Sequence, residues 1–210
     1  MRGDRLESRN EPLWKPVPSD RSFQSDDGRF GLTIGRSELK KILRYSLAAG
    51  RLETGGILVG HYSQHHDVAF VGDVSGPPRD SKSGVTWFHR GIQGLQTWLN
   101  GLWSKDSYYL GEWHFHPGGR PAASGIDLRQ IKEISEAPAY LCPEPLLIIV
   151  GGTMPASWEV AAYVSPRNCS LVELKQMDGS RTEVGRSAPI RPGSKVSSLP
   201  ARTEKQKTGP

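Results

Sequence analysis

GEWHFHPGGRPAASGID, residues 111–127, is the stretch of this sequence that decides the fold. Its first half belongs to the run YYLGEWHFH, which predicts a strand, and its second half opens the pattern SGIDLRQIKEIS, which predicts a helix. Strand side chains alternate between faces, so the imidazoles of His114 and His116 are expected to project the same way. Trp113 and Phe115 then face the opposite side, where they are available for a core.

The end of this stretch supplies a third metal-binding side chain. Ser124 opens the helical pattern, and Asp127 follows in its first turn, so a loop that turns back brings the carboxylate to His114 and His116. Three nitrogen and oxygen ligands leave the fourth position of a tetrahedral zinc ion open for water. Zinc lowers the pKa of that water to about 7 and polarises a carbonyl. The sequence therefore predicts one catalytic Zn²⁺ per chain.

A zinc hydrolase also needs a base outside the ligand set, and two carboxylates are candidates. Glu53 precedes the apolar strand GGILVG, where a charged side chain is out of character for mere solubility. Glu112 is the rival, because it is in phase with His114 and His116 on the predicted strand. The residues alone leave the choice between the two carboxylates open.

Each of these signals has an ordinary explanation when it stands alone. His-x-His on a strand is commonly a pair of surface or packed histidines. The spacing of Ser124 and Asp127 is that of a helix capping box, a role compatible with metal ligation. Glu53 alone is a solvated acid at a strand edge. Their joint occurrence favours a metal site.

Taken together, these motifs resemble those of the JAB/MPN (JAMM) metallopeptidases. Active members of that family carry a Glu and, further along the chain, His-x-His-Pro. Seven residues, of which the Pro is the first, separate the second His from a Ser, and two residues separate that Ser from an Asp. Every position is filled here, by Glu53, His114, His116, Ser124 and Asp127. The upstream ETGGILVG also resembles the family's Glu-x-x-Gly-x-Leu-x-Gly. The resemblance favours Glu53 over Glu112 as the base.

The resemblance covers about residues 32–165 and implies an α+β fold, a cytidine-deaminase-like architecture with a central mixed sheet flanked by helices. It also implies hydrolysis of an amide, in which Glu53 takes a proton from water and passes it to the leaving amine, while Ser124 donates a hydrogen bond to the oxyanion. One departure is Phe115, where relatives often have Ser or Thr; its side chain is expected to point away from the metal. The part after Asp127 is short, with little room for the insertions that hold a polyubiquitin chain in some relatives.

The motif GEWHFHP resembles that of small prokaryotic JAB proteins of ubiquitin-like operons, including the CBASS antiphage systems and mobile elements. The leading hypothesis is thus a zinc-dependent isopeptidase that deconjugates or processes a ubiquitin-like protein. A peptidase that trims a sulfur-carrier protein is an alternative. A nucleic-acid-associated module is another, but the basic tail lacks the interleaved aromatic residues that stack on bases, so nucleic acid is not the expected partner.

The chain is expected to divide into a flexible arm (1–30), one JAB/MPN domain (31–166) and a basic, largely disordered tail (167–210). Within the domain, a first helix is predicted from Ser37, as N-cap, to about Gly50, and a second from about residue 91 to 104. Further strands are predicted in ETGGILVG, DVAFVGDVSG, TWFHR, PLLIIVGG and SWEVAAYV, while GPPRDSKSG is predicted to be a loop.

Composition limits the other classes of function. The net charge is +5 over 210 residues, but residues 181–210 carry seven Lys and Arg against two Glu, which accounts for the excess and leaves the fold near neutral. Cys142 and Cys169 are too few for a disulfide scaffold and are expected to be inert. No stretch approaches the roughly 18 apolar residues of a membrane span, so a cytoplasmic protein is expected.

Overall fold

The computed structural model describes residues 20–177, and this part of the chain is a mixture of helices and strands. Its helices are Arg36–Ala49 (α1), Leu95–Trp103 (α2), Gly125–Glu136 (α3) and a short 3₁₀ helix, Pro138–Tyr140. Its strands are Arg21–Gln24 (β1), Gly31–Ile34 (β2), Thr54–Tyr62 (β3), Val68–Val74 (β4), Lys82–Ser83 (β5), Phe88–His89 (β6), Tyr108–Pro117 (β7), Leu146–Thr153 (β8), Ser157–Val164 (β9) and Val172–Gln176 (β10).

Eight of these strands form one mixed sheet in the order β1-β10-β9-β8-β7-β3-β4-β2, and the sheet closes because β1 pairs with both β10 and β2. The pairs β2–β4 and β7–β8 are parallel, and the other neighbours are antiparallel. Strands β5 and β6 form a separate hairpin. The predicted α+β class with a mixed sheet is confirmed, closure of the sheet was not predicted, and the cytidine-deaminase-like architecture stays a prediction.

The two faces of the sheet bury two different clusters. On one face, Leu58 and Trp113 pack with Leu43 of α1. On the other face, Ile149 packs with Ile131 of α3 and with residues of α2. Each fully buried aliphatic side chain contributes about 1.5–3 kcal/mol of transfer free energy, so the helices are held on the sheet by these alternating positions. Helices therefore flank the sheet as predicted.

The predicted boundaries of the domain are wrong at both ends. Residues 21–24, assigned to the flexible arm, form β1, and Phe23 is buried in the core. Residues 172–176, assigned to the tail, form β10, which pairs with β9 and β1. The rest of the predicted arm and tail, residues 1–19 and 178–210, lies outside the described residues.

Two helix starts also differ from the prediction. Helix α1 is capped by Gly35 rather than Ser37, whose hydroxyl donates to the neighbouring Glu38. Helix α2 begins only at Leu95, because the Asp80 carboxylate accepts the backbone N–H groups of residues 92 and 93 at 3.0 and 2.9 Å and fixes them in a turn. The predicted strand TWFHR is reduced to β6, and its partner β5 lies in the predicted loop.

None of the helices within residues 20–177 combines the length and the apolar character that a membrane crossing requires.

Candidate metal centre

Strand β7 carries both histidines at the middle of the sheet, between β3 and β8. His114 pairs with Gly55 on one side, and His116 pairs with Gly151 on the other. Trp113 and Phe115 are fully buried in the cluster beneath the opposite face. The predicted division of faces along β7 is confirmed, and Phe115 points away from the histidines.

The structure brings His114, His116 and Asp127 together as a group whose candidate ligand atoms all lie within 4.8 Å of one another. His114 Nδ1 lies 2.7 Å from Asp127 Oδ1, and His116 Nε2 lies 3.4 Å from Asp127 Oδ2. His114 and Asp127 are buried, while 14% of the His116 side chain remains exposed. The group is thus largely buried, and His116 is its most accessible member.

A capping box at the start of α3 fixes the Asp127 carboxylate. The Ser124 backbone N–H donates to Asp127 Oδ2 at 2.8 Å, and the Asp127 N–H donates to Ser124 Oγ at 3.2 Å. Burial opposes ionisation of Asp127, but the contacts with His114, His116 and Ser124 hold the pKa of its carboxyl well below its usual range. The predicted cap is confirmed, and it presents an ionised carboxylate to both histidines.

Glu53 lies beside this group although it is distant in sequence. It precedes Thr54, which pairs with Phe115, and its N–H donates to the Gly84 carbonyl at 2.8 Å. Burial raises the pKa of the half-buried Glu53 carboxyl, His116 and His114 lower it, and Asp127 raises it further. The Glu53 carboxyl is thus close enough to His116, Asp127 and His114 for their charges to act on it, and it is not one of the three candidate ligands.

Glu112, the rival candidate for the base, lies on the same strand but is fully buried and paired with Arg90. A carboxylate with no exposed surface is not placed to take a proton from an attacking water. The structure thus favours Glu53 on grounds of access. The partner Arg90 was not singled out in the sequence.

The residues present fit a zinc ion. Ligand atoms at the usual zinc distances are about 3.3 Å apart in a tetrahedron, and the separations of 2.7 and 3.4 Å between the histidines and Asp127 lie on either side of that spacing. Two imidazoles and one carboxylate are typical of catalytic sites, which keep one position open. His114, His116 and Asp127 would hold the ion.

The other histidines and the cysteines do not join this group. His61 of β3 stacks on Phe70 of β4, and His66, in the turn between these strands, stacks on Tyr62. Cys142 is buried, and burial raises the pKa of its thiol to about 12, which keeps it protonated. Cys169 is exposed. Within residues 20–177, His114, His116 and Asp127 are the group that could hold a metal.

Gly55 is expected to be required for the site because it lies directly against His114. A Cβ at Gly55 would meet His114 Cδ2 and Phe88 Cε1 at 2.9 Å, and the Trp113 carbonyl oxygen still closer. Overpacking of this kind costs about 1–3 kcal/mol. Gly55→Ala should therefore lower both the free energy of unfolding and the zinc affinity, as measured by thermal denaturation and by competition with a zinc chelator.

The matched control for this substitution is Gly72→Ala on β4, where an added Cβ has no neighbour within 4 Å. We expect the control to bind zinc like the original protein. Equal zinc affinity in the two variants would show that the contact between Gly55 and His114 is unimportant.

Residues 36–162 match the family described as prokaryotic homologs of the JAB domain. The chain is 39% identical over 158 residues to a CD-NTase/cGAS isopeptidase of Enterobacter hormaechei subsp. hoffmannii (strain UCI 50), covering 75% of this chain and 88% of that protein. A protein of the same name from Escherichia coli (strain TW11681) is 32% identical over 104 residues, which cover 48% of this chain and 62% of that protein.

Among solved structures, the solution structure of protein DSY2949 from Desulfitobacterium hafniense superposes with a TM-score of 0.50 at 17% identity, covering 68% of this chain and 88% of that one. At this identity the likeness concerns the fold alone. A mixed sheet flanked by helices, with two histidines and a helix-capping aspartate converging on one point, defines an α+β protein with a candidate metal centre. The chain belongs to the family of prokaryotic homologs of the JAB domain.

Proposed function

We propose that this protein is a zinc-dependent isopeptidase that hydrolyses the amide between the carboxyl terminus of a ubiquitin-like protein and a lysine amine. The observation that carries the proposal is the convergence of His114, His116 and Asp127, with Glu53 beside them. The names of the two relatives support the reaction class and support a place in a CD-NTase system of the CBASS antiphage type. A cytoplasmic location belongs to the same proposal.

The residues supply the proton transfers that the reaction needs. Hydrolysis adds water across the amide, so the acyl side leaves as a carboxylic acid and the lysine nitrogen as an amine. When bound, zinc supplies a Lewis acid that polarises the carbonyl and acidifies water. Glu53 takes a proton from the attacking water and gives it to the departing nitrogen. The raised pKa of Glu53 favours this role, because a base that also serves as an acid must hold the proton between two steps.

In this mechanism Ser124 stabilises the negative charge that develops on the carbonyl oxygen. Its Oγ accepts the Asp127 N–H at 3.2 Å, which leaves the hydroxyl proton available for donation. The residue is exposed at the N-terminus of α3, where the helix dipole also favours negative charge. We therefore assign Ser124 the role of oxyanion donor.

The test is cleavage of a defined isopeptide conjugate. A ubiquitin-like protein joined through its carboxyl terminus to a lysine peptide, and a CD-NTase carrying such a conjugate, are incubated with the protein and followed by mass spectrometry. We expect cleavage to fall to background with a zinc chelator and to return when zinc is added. Chelator-insensitive cleavage would overturn the mechanism. Cleavage confined to a linear fusion at the same Gly-Gly would instead favour trimming of a carrier protein.

A further inference from the structure

A buried pair of opposite charges lies directly behind the candidate metal centre. Arg90, which follows β6, and Glu112 of β7 both have side chains with no exposed surface, and Arg90 Nε lies 3.1 Å from Glu112 Oε1. Burial opposes the charge on Arg90, but Glu112 raises the pKa of the guanidinium above its ordinary value, so the pair stays ionised. Two buried charges are costly to desolvate, and a pair of apolar residues often serves stability as well.

The two oxygens of Glu112 face different neighbours. Oε1 accepts from Arg90 and from the Tyr109 hydroxyl, which lies at 3.4 Å. Oε2 lies 3.6 Å from His114 Nε2, while the other ring nitrogen, Nδ1, lies 2.7 Å from Asp127. The contact at 3.6 Å is longer than a hydrogen bond, so it acts electrostatically, through the negative charge of Glu112 and through the partial negative charge that any carbonyl oxygen carries. The His114 imidazole is thus placed between two carboxylates.

A β-bulge creates this arrangement. Tyr109 and Glu112 are three residues apart, and regular alternation would put them on opposite faces. The pairing of β7 with β3 shifts between Leu58 and Val59, and Gly111 adopts φ +146, a conformation that favours glycine. Because of the bulge, both side chains reach the face that carries His114. Bulges commonly re-aim a side chain next to a functional site.

The hairpin that ends at Arg90 also contacts His114 and Glu53. The Phe88 ring meets the His114 ring edge-on, with 5.9 Å between centroids and 82° between planes. The Gly84 carbonyl accepts the Glu53 N–H at 2.8 Å. Arg90 anchors the hairpin's end by donating to the Gly91 carbonyl at 2.9 Å and to the Tyr140 hydroxyl at 3.4 Å. One segment therefore supports both the candidate base and a candidate ligand.

We infer that Arg90 and Glu112 are positioning residues for the metal centre. Arg90 holds the Glu112 carboxylate, and Glu112 orients the His114 ring so that its proton lies on Nε2. The lone pair of Nδ1 then faces His116 and Asp127. A carboxylate that fixes the tautomer of a metal-binding histidine also raises the basicity of that histidine. Loss of such a carboxylate typically lowers metal affinity about 10–100-fold. The inference rests on the proposed zinc site.

Two double variants test the inference, and they differ only at the group that faces His114. Arg90→Met with Glu112→Leu, the leucine variant, removes the charges and the acceptor. Arg90→Met with Glu112→Gln, the glutamine variant, also removes the charges but keeps an oxygen near Nε2. Neither variant leaves a buried charge without its partner, which protects the fold. Zinc affinity is measured by competition with a chromophoric chelator, and the geometry of the site by the visible absorption of the cobalt-substituted protein.

We expect the leucine variant to lose about 10–100-fold in zinc affinity with an altered cobalt spectrum, and the glutamine variant to lose less. If circular dichroism shows that either variant fails to fold, Arg90→Lys serves instead. Lysine keeps the positive charge but cannot reach all the partners of Arg90. For this variant we expect a smaller loss of zinc affinity. Leu174→Ala, in the core on β10, controls for reduced stability and should leave the zinc affinity unchanged.

The outcomes separate this inference from the proposed function. If the unmodified protein binds no zinc, the proposed function fails and the inference fails with it. If the unmodified protein binds zinc and the variants bind it equally well with the same cobalt spectrum, only the inference is overturned, and the pair is structural.

Discussion

Glu53→Gln is expected to reduce isopeptide cleavage by about 10²–10⁴-fold while the zinc content of the protein stays unchanged. Glutamine keeps the shape of the side chain but cannot take a proton from water. Zinc is retained because Glu53 lies outside the group formed by His114, His116 and Asp127. The measurement is the initial rate of conjugate cleavage, with the metal content determined on the same sample by atomic absorption.

A matched control for the Glu53 variant is Glu133→Gln on the exposed surface of α3, which makes the same chemical change away from the site. We expect its cleavage rate to equal that of the original protein. An undiminished rate in Glu53→Gln would remove Glu53 from the mechanism. Loss of zinc in the same variant would instead make the residue a ligand.

The parts of the fold that the sequence predicted are those specified locally. The runs that became β3, β7, β8 and β9 are long and apolar, and α3 has both a cap and a clear helical period. Closure of the sheet depends on pairs such as Phe23 with Gln176, which join short strands near the two ends of the described chain. A strand of four or five residues carries too little pattern to stand out beside polar arms.

The residues of the candidate site also fall into those that a local sequence pattern predicts and those that depend on long-range pairing. The shared face of His114 and His116 follows from strand alternation, and the place of Asp127 follows from its capping box with Ser124. Glu53 reaches the group only through the pairing of β3 with β7, a long-range contact that spacing alone does not reveal. The resemblance to a family supplied that step, and the access of Glu53 compared with Glu112 supports it.

Arg90 and the surroundings of Glu112 were missed. Arg90 ends the segment TWFHR, where nothing in the sequence distinguishes a buried arginine from a solvated one. One signal was available: a carboxylate within an apolar strand needs a partner if it is buried. Finding Arg90 as that partner required the bulge at Gly111 and the path of the hairpin, neither of which has a periodic pattern.

Asp127→Asn is expected to lower zinc affinity by more than about 100-fold, a greater loss than removal of an outer partner causes, and to abolish cleavage. Asparagine keeps a side-chain oxygen that can accept the Ser124 N–H, so the start of α3 should survive. It loses the negative charge that both histidines contact. The free energy of unfolding of the metal-free protein should fall by more than the roughly 0.3–1 kcal/mol that a charge at a helix N-terminus contributes, because the contacts with the two histidines are lost as well.

Ser124→Ala provides the complementary control for Asp127→Asn, because it removes the cap without removing a candidate ligand. Loss of the hydroxyl that accepts the Asp127 N–H should cost about 0.5–2 kcal/mol in the free energy of unfolding, and cleavage should slow while zinc remains bound. Chelator competition and thermal denaturation of both variants give the full comparison. If Asp127→Asn binds zinc normally and only loses stability, Asp127 is a helix cap and the metal centre as proposed is wrong.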